Sequence, residues 1–311
     1  MGQKEKNAIS IVLLLISAQL VFSQKYFLLE TNTDKYRTKT YELSTMDLYG
    51  IDKKVDVFNI LLEDLINRSN PEKTLVLFSA LPGAGNDNGW NEINLESVKD
   101  SIISIGKLWR LSEQSLYQRF DLQYGTKTKY WNDYKIVVQR EGRYYVSSNC
   151  LLQFYAIQNR SDIFNQPYNT INIEQNINTI TSVKQLYHNT YPNRTFPVGM
   201  PPDDSNFDRI RDRREFLSRK LVINDQNYYQ FWTFTDWGQI KARALGDHHK
   251  VYFAYERGID RFVYNPTDLI VGGSYDFYFY HYKNEFGIKT DVFNRNVIDE
   301  KVMIADMLKA D

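Results

Sequence analysis

The chain predicts an α+β fold: antiparallel β-sheet with helices packed on one face, and a C-terminal half rich in strands. Three observations lead there. Segments with helical apolar spacing come ahead of meanders of strand-like runs instead of alternating with single strands in βαβ order. Glu141-Gly142 separates two strand-like runs and marks a hairpin. Aromatic residues make up 15% of the chain, including 23 Tyr, and Tyr suits half-buried sheet faces.

Residues 1–23 come first and read as a secretory signal peptide. Lys4, Glu5 and Lys6 precede an apolar run from Ile9 to Phe22, and Ser23 and Val21 occupy the positions where signal peptidase requires small or slender side chains. A cut after Ser23 is expected. The run is shorter than the about 20 apolar residues of a stable span, and Gln24 stands where a lipid-anchored product needs a cysteine. Residues 24–311 then form one large α+β domain, with a two-lobe division near 158–173 held open.

Along that domain, Lys25–Leu43 contains short strand-like pieces, KYFLLE and TKTYEL. Asp52–Asn67 predicts an amphipathic helix with Val55, Phe58, Leu62, Leu65 and Ile66 on one side, stopped at Asn70-Pro71. Thr74–Phe78 reads as a buried strand and Leu81–Asn91 as a Gly/Asn loop. A second helix starts at Asn94 as N-cap and carries Val98, Ile102, Ile105, Leu108 and Trp109. The hairpin strands are Tyr134–Arg140 and Arg143–Tyr155. In the second, Val146, Cys150, Leu152 and Phe154 share the apolar side, which makes Cys150 a buried structural thiol.

The region 158–173 is polar and contains Pro167. Glu174–Tyr187 predicts a helix, and Tyr191–Asp204, with four prolines, a loop. Ser205–Lys220 predicts a charged helix. Strands follow at Leu221–Ile223, Tyr228–Thr235, Gln239–Leu245, Lys250–Tyr255, Arg261–Tyr264 and Tyr275–Tyr282, and Val297–Leu308 closes the chain as a helix.

The 38 basic and 38 acidic residues balance; removing Lys4, Lys6 and Glu5 with the leader leaves 36 and 37. That balance excludes a general nucleic-acid binder. The local cluster Arg209, Arg211, Arg213, Arg214, Arg219 and Lys220 is interleaved with acids and reads as a solvated helix face. One cysteine allows no intramolecular disulfide. With the abundance of Ile, Asn, Lys, Tyr and Phe, this points to a bacterial periplasmic or secreted protein.

Few motifs carry chemistry. The Gly83–Gly89 loop follows a strand and precedes a helix, but lacks dinucleotide spacing, the Gly-Lys-Ser/Thr of a P-loop and the first and last acidic ligands of a calcium loop. His188, His248, His249 and His281 show no ligand spacing, so no metal and no cofactor is expected; His248 and His249 fall in a hairpin turn. Gly272-Gly273-Ser274 is not a nucleophile elbow, and its glycines read as a turn. Carboxylates Glu256, Asp276 and Asp236 are the catalytic candidates, since glycoside hydrolysis needs two spaced carboxylates. The last predicted strand places Tyr278, Tyr280 and Tyr282 on one face beside Asp276, with Trp232 and Trp237 near in sequence. That aromatic strip is the candidate binding surface for a sugar or peptide.

Two function classes follow. One is an exported, non-catalytic binding or envelope-associated module whose partner is a glycan, an envelope component or a protein, with no nucleic acid and no stable membrane span after leader removal. The other is an exported carboxylate-dependent hydrolase resembling a glycosidase in its chemistry.

Overall fold

A computed structural model describes residues 24–30, 33–62, 73–117, 129–159, 169–190, 192–193, 215–233, 244–245, 249–250 and 258–309. Its strands in chain order are β1 (Lys25–Leu28), β2 (Arg37–Ser44), β3 (Lys54–Leu62), β4 (Lys73–Leu81), β5 (Trp90–Ile93), β6 (Lys129–Trp131), β7 (Tyr134–Arg140), β8 (Arg143–Ser147), β9 (Asn149–Ile157), β10 (Thr170–Ile171), β11 (Phe216–Ile223), β12 (Gln226–Trp232), β13 (Ala244–Leu245), β14 (His249–Lys250), β15 (Arg261–Asn265), β16 (Leu269–Ser274) and β17 (Met303–Ile304). Its helices are α1 (Met46–Tyr49), α2 (Leu95–Val98), α3 (Ile105–Tyr117), α4 (Ile180–Thr190), α5 (Asp276–His281), α6 (Lys283–Phe286) and α7 (Thr290–Ile298). The fold is mixed α and β, rich in strand and mostly antiparallel, with β1–β7 and β10–β9 the parallel pairings.

Three sheets stack in layers. The central six-stranded sheet runs β10-β9-β4-β3-β2, with β6 also on β9; a four-stranded sheet runs β1-β7-β8-β5 and a five-stranded sheet β11-β12-β15-β16-β17. Alternate residues of the central strands enter different cores. Val55, Val57, Leu61, Leu75, Leu77, Leu151 and Tyr155 pack with Phe231, Phe262, Val263 and Ile270 of the five-stranded sheet. Phe58, Ile60, Val76, Phe78, Leu152 and Phe154 pack with Phe27, Ile136 and Val138 of the four-stranded sheet. A sheet buried on both faces needs near-continuous apolar strands, which is what β3 and β4 are.

That double burial explains the largest departure from expectation. The described part of Asp52–Asn67 is strand β3, not a helix. Val55, Phe58 and Leu62 match a helical period only because neighbouring positions on both faces are also apolar. The helices, expected on one face, contribute to both cores: Leu108, Leu111 and Leu116 of α3 to one, and Ile180, Phe279 and Phe293 of α4, α5 and α7 to the other. Nor is the strand content gathered in the C-terminal half. Among the described residues β1 to β9 all precede residue 158.

Local signals fare better. Glu141 and Gly142 have φ of 50° and 79°, the pair of positive values that a two-residue hairpin turn of matching twist requires, and Arg140 pairs with Arg143. The run Arg143–Tyr155 is divided at Ser148, so β8 stays in the four-stranded sheet while β9 enters the central one. Asn94 caps α2, its side chain accepting from Glu96 N at 3.0 Å. The helix then stops at Val98 and resumes as α3 after a 3-10 turn, Lys99–Ser101. His249, expected in a hairpin turn, lies in strand β14, where it pairs with Leu245 of β13; His248 lies outside the described residues.

At the C-terminal end the periodicity misleads again. The final long strand is β16, and Tyr275–Tyr282 is helix α5 and its flanks. Gly272 and Gly273 lie within β16, not in a turn. A Cβ on Gly272 would sit 2.3 Å from Met303 O, so glycine is what lets β17 close on this strand. The described end of Ser205–Lys220 belongs to strand β11, α4 begins at Ile180 rather than Glu174, and Val297–Leu308 divides into the end of α7, β17 and a 3-10 turn.

Candidate functional site

Asp276 opens α5 in the interior. Its side chain and that of Arg261 are 0% and 2% exposed, and Arg261 Nη2 donates to Asp276 Oδ2 at 2.6 Å. Tyr49 OH donates to Asp276 Oδ1 at 2.8 Å and accepts from Tyr275 N at 2.9 Å. Arg261 Nε donates to Lys301 O at 2.8 Å. Burial, and next the Asp276 carboxylate, push the Tyr49 phenol well above its ordinary range. Both carboxylate oxygens are consumed in a network that ties α1, β15 and α5 together.

The aromatic strip is not formed as a strip, because a helix does not align alternate residues. Tyr278 and Tyr282, one turn apart, face each other at 4.9 Å between ring centroids, while Tyr280 turns to Phe293. Tyr278 is buried; its hydroxyl donates to Pro82 O at 2.5 Å and accepts from Asn149 Nδ2 at 3.1 Å. Tyr280 and Tyr282 are half-buried, with Lys283 Nζ 4.2 Å from the Tyr280 ring centre. Trp232 is buried and donates from Nε1 to Asn178 O at 2.7 Å. Asp236, Trp237 and Glu256 lie outside the described residues. The structure therefore brings Tyr278 and Tyr282 together and sets Asp276 and Trp232 into separate interior roles.

The Gly83–Gly89 loop is closed by Asp87 within it and by Lys53 and Ser148 beside it. Lys53 Nζ donates to Gly85 O and Asp87 O at 2.6 and 2.9 Å, and Asp87 Oδ1 accepts from Gly89 N at 2.7 Å and Ser148 Oγ at 3.2 Å. A carboxylate thus takes the loop's amide, where a phosphate site needs free amides. Among the described residues no three His, Cys, Asp or Glu side chains come together as a metal-binding group.

A concave site does form elsewhere. Between the four-stranded sheet and the central one, β1, β2, β3, β7 and β8 border a cleft of about 360 Å³ whose lining includes Glu30, Thr40, Asp56, Phe58, Arg140 and Tyr144. Asp56 is its best-anchored polar group. Trp90 Nε1 donates to Asp56 Oδ2 at 2.7 Å, and Arg140 Nη2 reaches the same oxygen at 3.5 Å. The Arg140 guanidinium lies 4.6 Å from the Trp90 ring centre, and Trp90 meets Phe58 edge-on at 5.9 Å. Burial pushes the Asp56 carboxyl above its ordinary value of 3.8; the Trp90 hydrogen bond and the Arg140 charge act the other way. A cleft with an apolar floor, a held carboxylate and a guanidinium can orient a polar ligand.

Sequence reasoning missed this site because Asp56, Trp90 and Arg140 come from three separate strands or strand ends. The one available signal was Asp56 itself, a charged residue inside an apolar run. No protein-family model, curated protein or solved structure matches the chain.

Proposed function

We propose that this chain is an exported, non-catalytic binding module, periplasmic or secreted, that holds its partner at the Asp56–Arg140 cleft. The observation that carries the reading is the cleft: a partly desolvated carboxylate, anchored by Trp90 and Arg140 over an apolar floor. The leader-like residues 1–23 support export, and the balanced charge of 36 basic and 37 acidic residues, after Lys4, Lys6 and Glu5 leave with the leader, supports a partner other than nucleic acid. The partner class is a glycan, an envelope component or a protein. Among the described residues no helix is long and apolar enough to cross a membrane. The carboxylate-hydrolase reading gains nothing from Asp276, whose two oxygens are both held by interior donors.

Two measurements test this. Amino-terminal sequencing of the full chain expressed with its own leader should find Gln24 first, in the periplasm or medium; an intact leader in the cytoplasm refutes export. Retention on isolated envelope material or a glycan array should fall at least tenfold in Arg140→Ala. Equal retention by wild type and variant removes the cleft from the reading.

A further inference from the structure

The Asp56 cleft lies where one strand stops short of its neighbour. β1 and β7 pair in parallel as far as Leu28 and Val137, and Leu29 N donates to Val137 O at 2.9 Å. β7 runs on to Arg140, where the hairpin to β8 turns. Arg140 and Arg143 flank a two-residue turn, so they form a hydrogen-bonded pair and the next pair, Gln139 and Tyr144, a non-bonded one. The Gln139 N–H and C=O therefore face away from β8, along the line that β1 has left. Among the described residues no strand takes up that line.

The cleft lining follows the alternation that a further strand would meet. Leu29 and Val138 enter the core towards the central sheet, and Arg140, of the same parity as Val138, reaches Asp56. Leu28, Gln139 and Tyr144, of the other parity, line the cleft as well. A pocket on one sheet face shows one parity; the gap beside a strand edge shows both. On its floor, Trp90 and Arg140 both donate to Asp56 Oδ2, and Oδ1 takes no donor among the described residues. The Asp56 side chain is 16% exposed, so that oxygen is open to the cleft. A sugar ring stacks on an open aromatic face, but the rings beside Asp56 are closed: the guanidinium lies over Trp90 at 4.6 Å, and Phe58 is 4% exposed.

We propose that the cleft takes a short extended peptide as a strand beside β7, its backbone pairing with Gln139 and one side chain donating to Asp56 Oδ1. Main-chain bonds give such added strands their affinity and alternate side chains their specificity. The side chain over Asp56 is a neutral donor, Ser, Thr or Asn. A carboxylate there would meet Asp56, and an ammonium would meet Arg140. This inference rests on the cleft being the binding site and narrows its partner to a polypeptide.

The probe is acetyl-Val-Thr-Val amide, titrated to millimolar concentration into the nitrogen-15-labelled mature chain and followed by amide chemical shifts. The Gln139 amide should shift in a saturable way. The same tripeptide methylated at every backbone nitrogen should bind at least fivefold more weakly, and the analogue with alanine for threonine about tenfold more weakly. Gln139→Pro removes only an N–H that faces away from β8, and Gln230 and the other distant amides report that it folds; neighbouring amides should then lose their response to the tripeptide. No Gln139 shift in the wild type overturns the proposal, as does equal binding of the methylated tripeptide. If retention on envelope material or a glycan array still depends on Arg140 while the tripeptide leaves Gln139 unmoved, this inference alone falls and the cleft stands as the binding site.

Discussion

Replacing Arg261 with Met should be among the most damaging single changes in this protein. The substitution keeps the bulk of the side chain but removes the 2.6 Å donor to Asp276 Oδ2 and the 2.8 Å donor to Lys301 O. Asp276 Oδ1 keeps Tyr49, so half of a fully buried carboxylate loses its partner. Loss of a hydrogen bond to a charged group and the stranding of a buried charge together cost about 3–5 kcal/mol. In a chain of this size that is a fall in thermal midpoint of roughly 5–8 °C. Removing the other charge as well, in Arg261→Met/Asp276→Leu, should recover much of the loss, because a buried ion pair replaced by apolar groups of similar volume is often neutral. The double variant should then lie about 3 kcal/mol above the sum of the single losses. Urea unfolding followed by tryptophan fluorescence reads all four proteins, with buried Trp232 as a reporter. A cost below about 1 kcal/mol for Arg261→Met, or strict additivity in the double variant, would refute the reasoning.

Asp56→Asn should be at least as stable as wild type at neutral pH, by about 1 kcal/mol or less. The folded-state value is raised above the ordinary 3.8, so the stability contributed by the protonated carboxyl is complete below that value and is lost as pH rises through the folded one; a flatter stability profile over that window checks it. Cys150 is fully buried, and burial pushes its thiol up to about 11 despite opposing hydrogen bonds from Ser147 and the Ile136 backbone. Thiol reagents at pH 8 should leave the native protein unmodified and label one thiol per chain after denaturation; fast native labelling contradicts the structure. Gly272→Ala puts a methyl 2.3 Å from Met303 O and should cost about 1–3 kcal/mol. Amide exchange at Ala305, whose N–H donates to Val271 O at 2.9 Å, should accelerate as β17 is displaced.

Legibility in the sequence followed the range of the interaction involved. The hairpin at Glu141-Gly142 and the cap at Asn94 depend on a few adjacent residues, and both form where their residue types place them. Cys150 reads as interior because it shares its parity with Leu152 and Phe154, and it is interior, in a strand buried on both faces. The candidate site was not legible, since Asp56, Trp90 and Arg140 meet only through pairing and layering of separate strands. The aromatic strip shows the opposite error. Asp276–His281 alternates like a strand, yet its aromatics fill a core reached from both sides of a short helix.

The amino-acid sequence by itself determined the α+β class, the hairpin turn, the helix cap and the burial of the lone thiol, because propensity and backbone conformation act within a few residues. Tertiary structure alone decided that β3 is a strand, that α5 is a helix and that Asp276 is an interior ion-pair partner. The physical reason is layering. Once the central sheet is covered on both faces, its strands lose the alternation that identifies them, and a charged residue's role depends on which distant group the packing sets beside it.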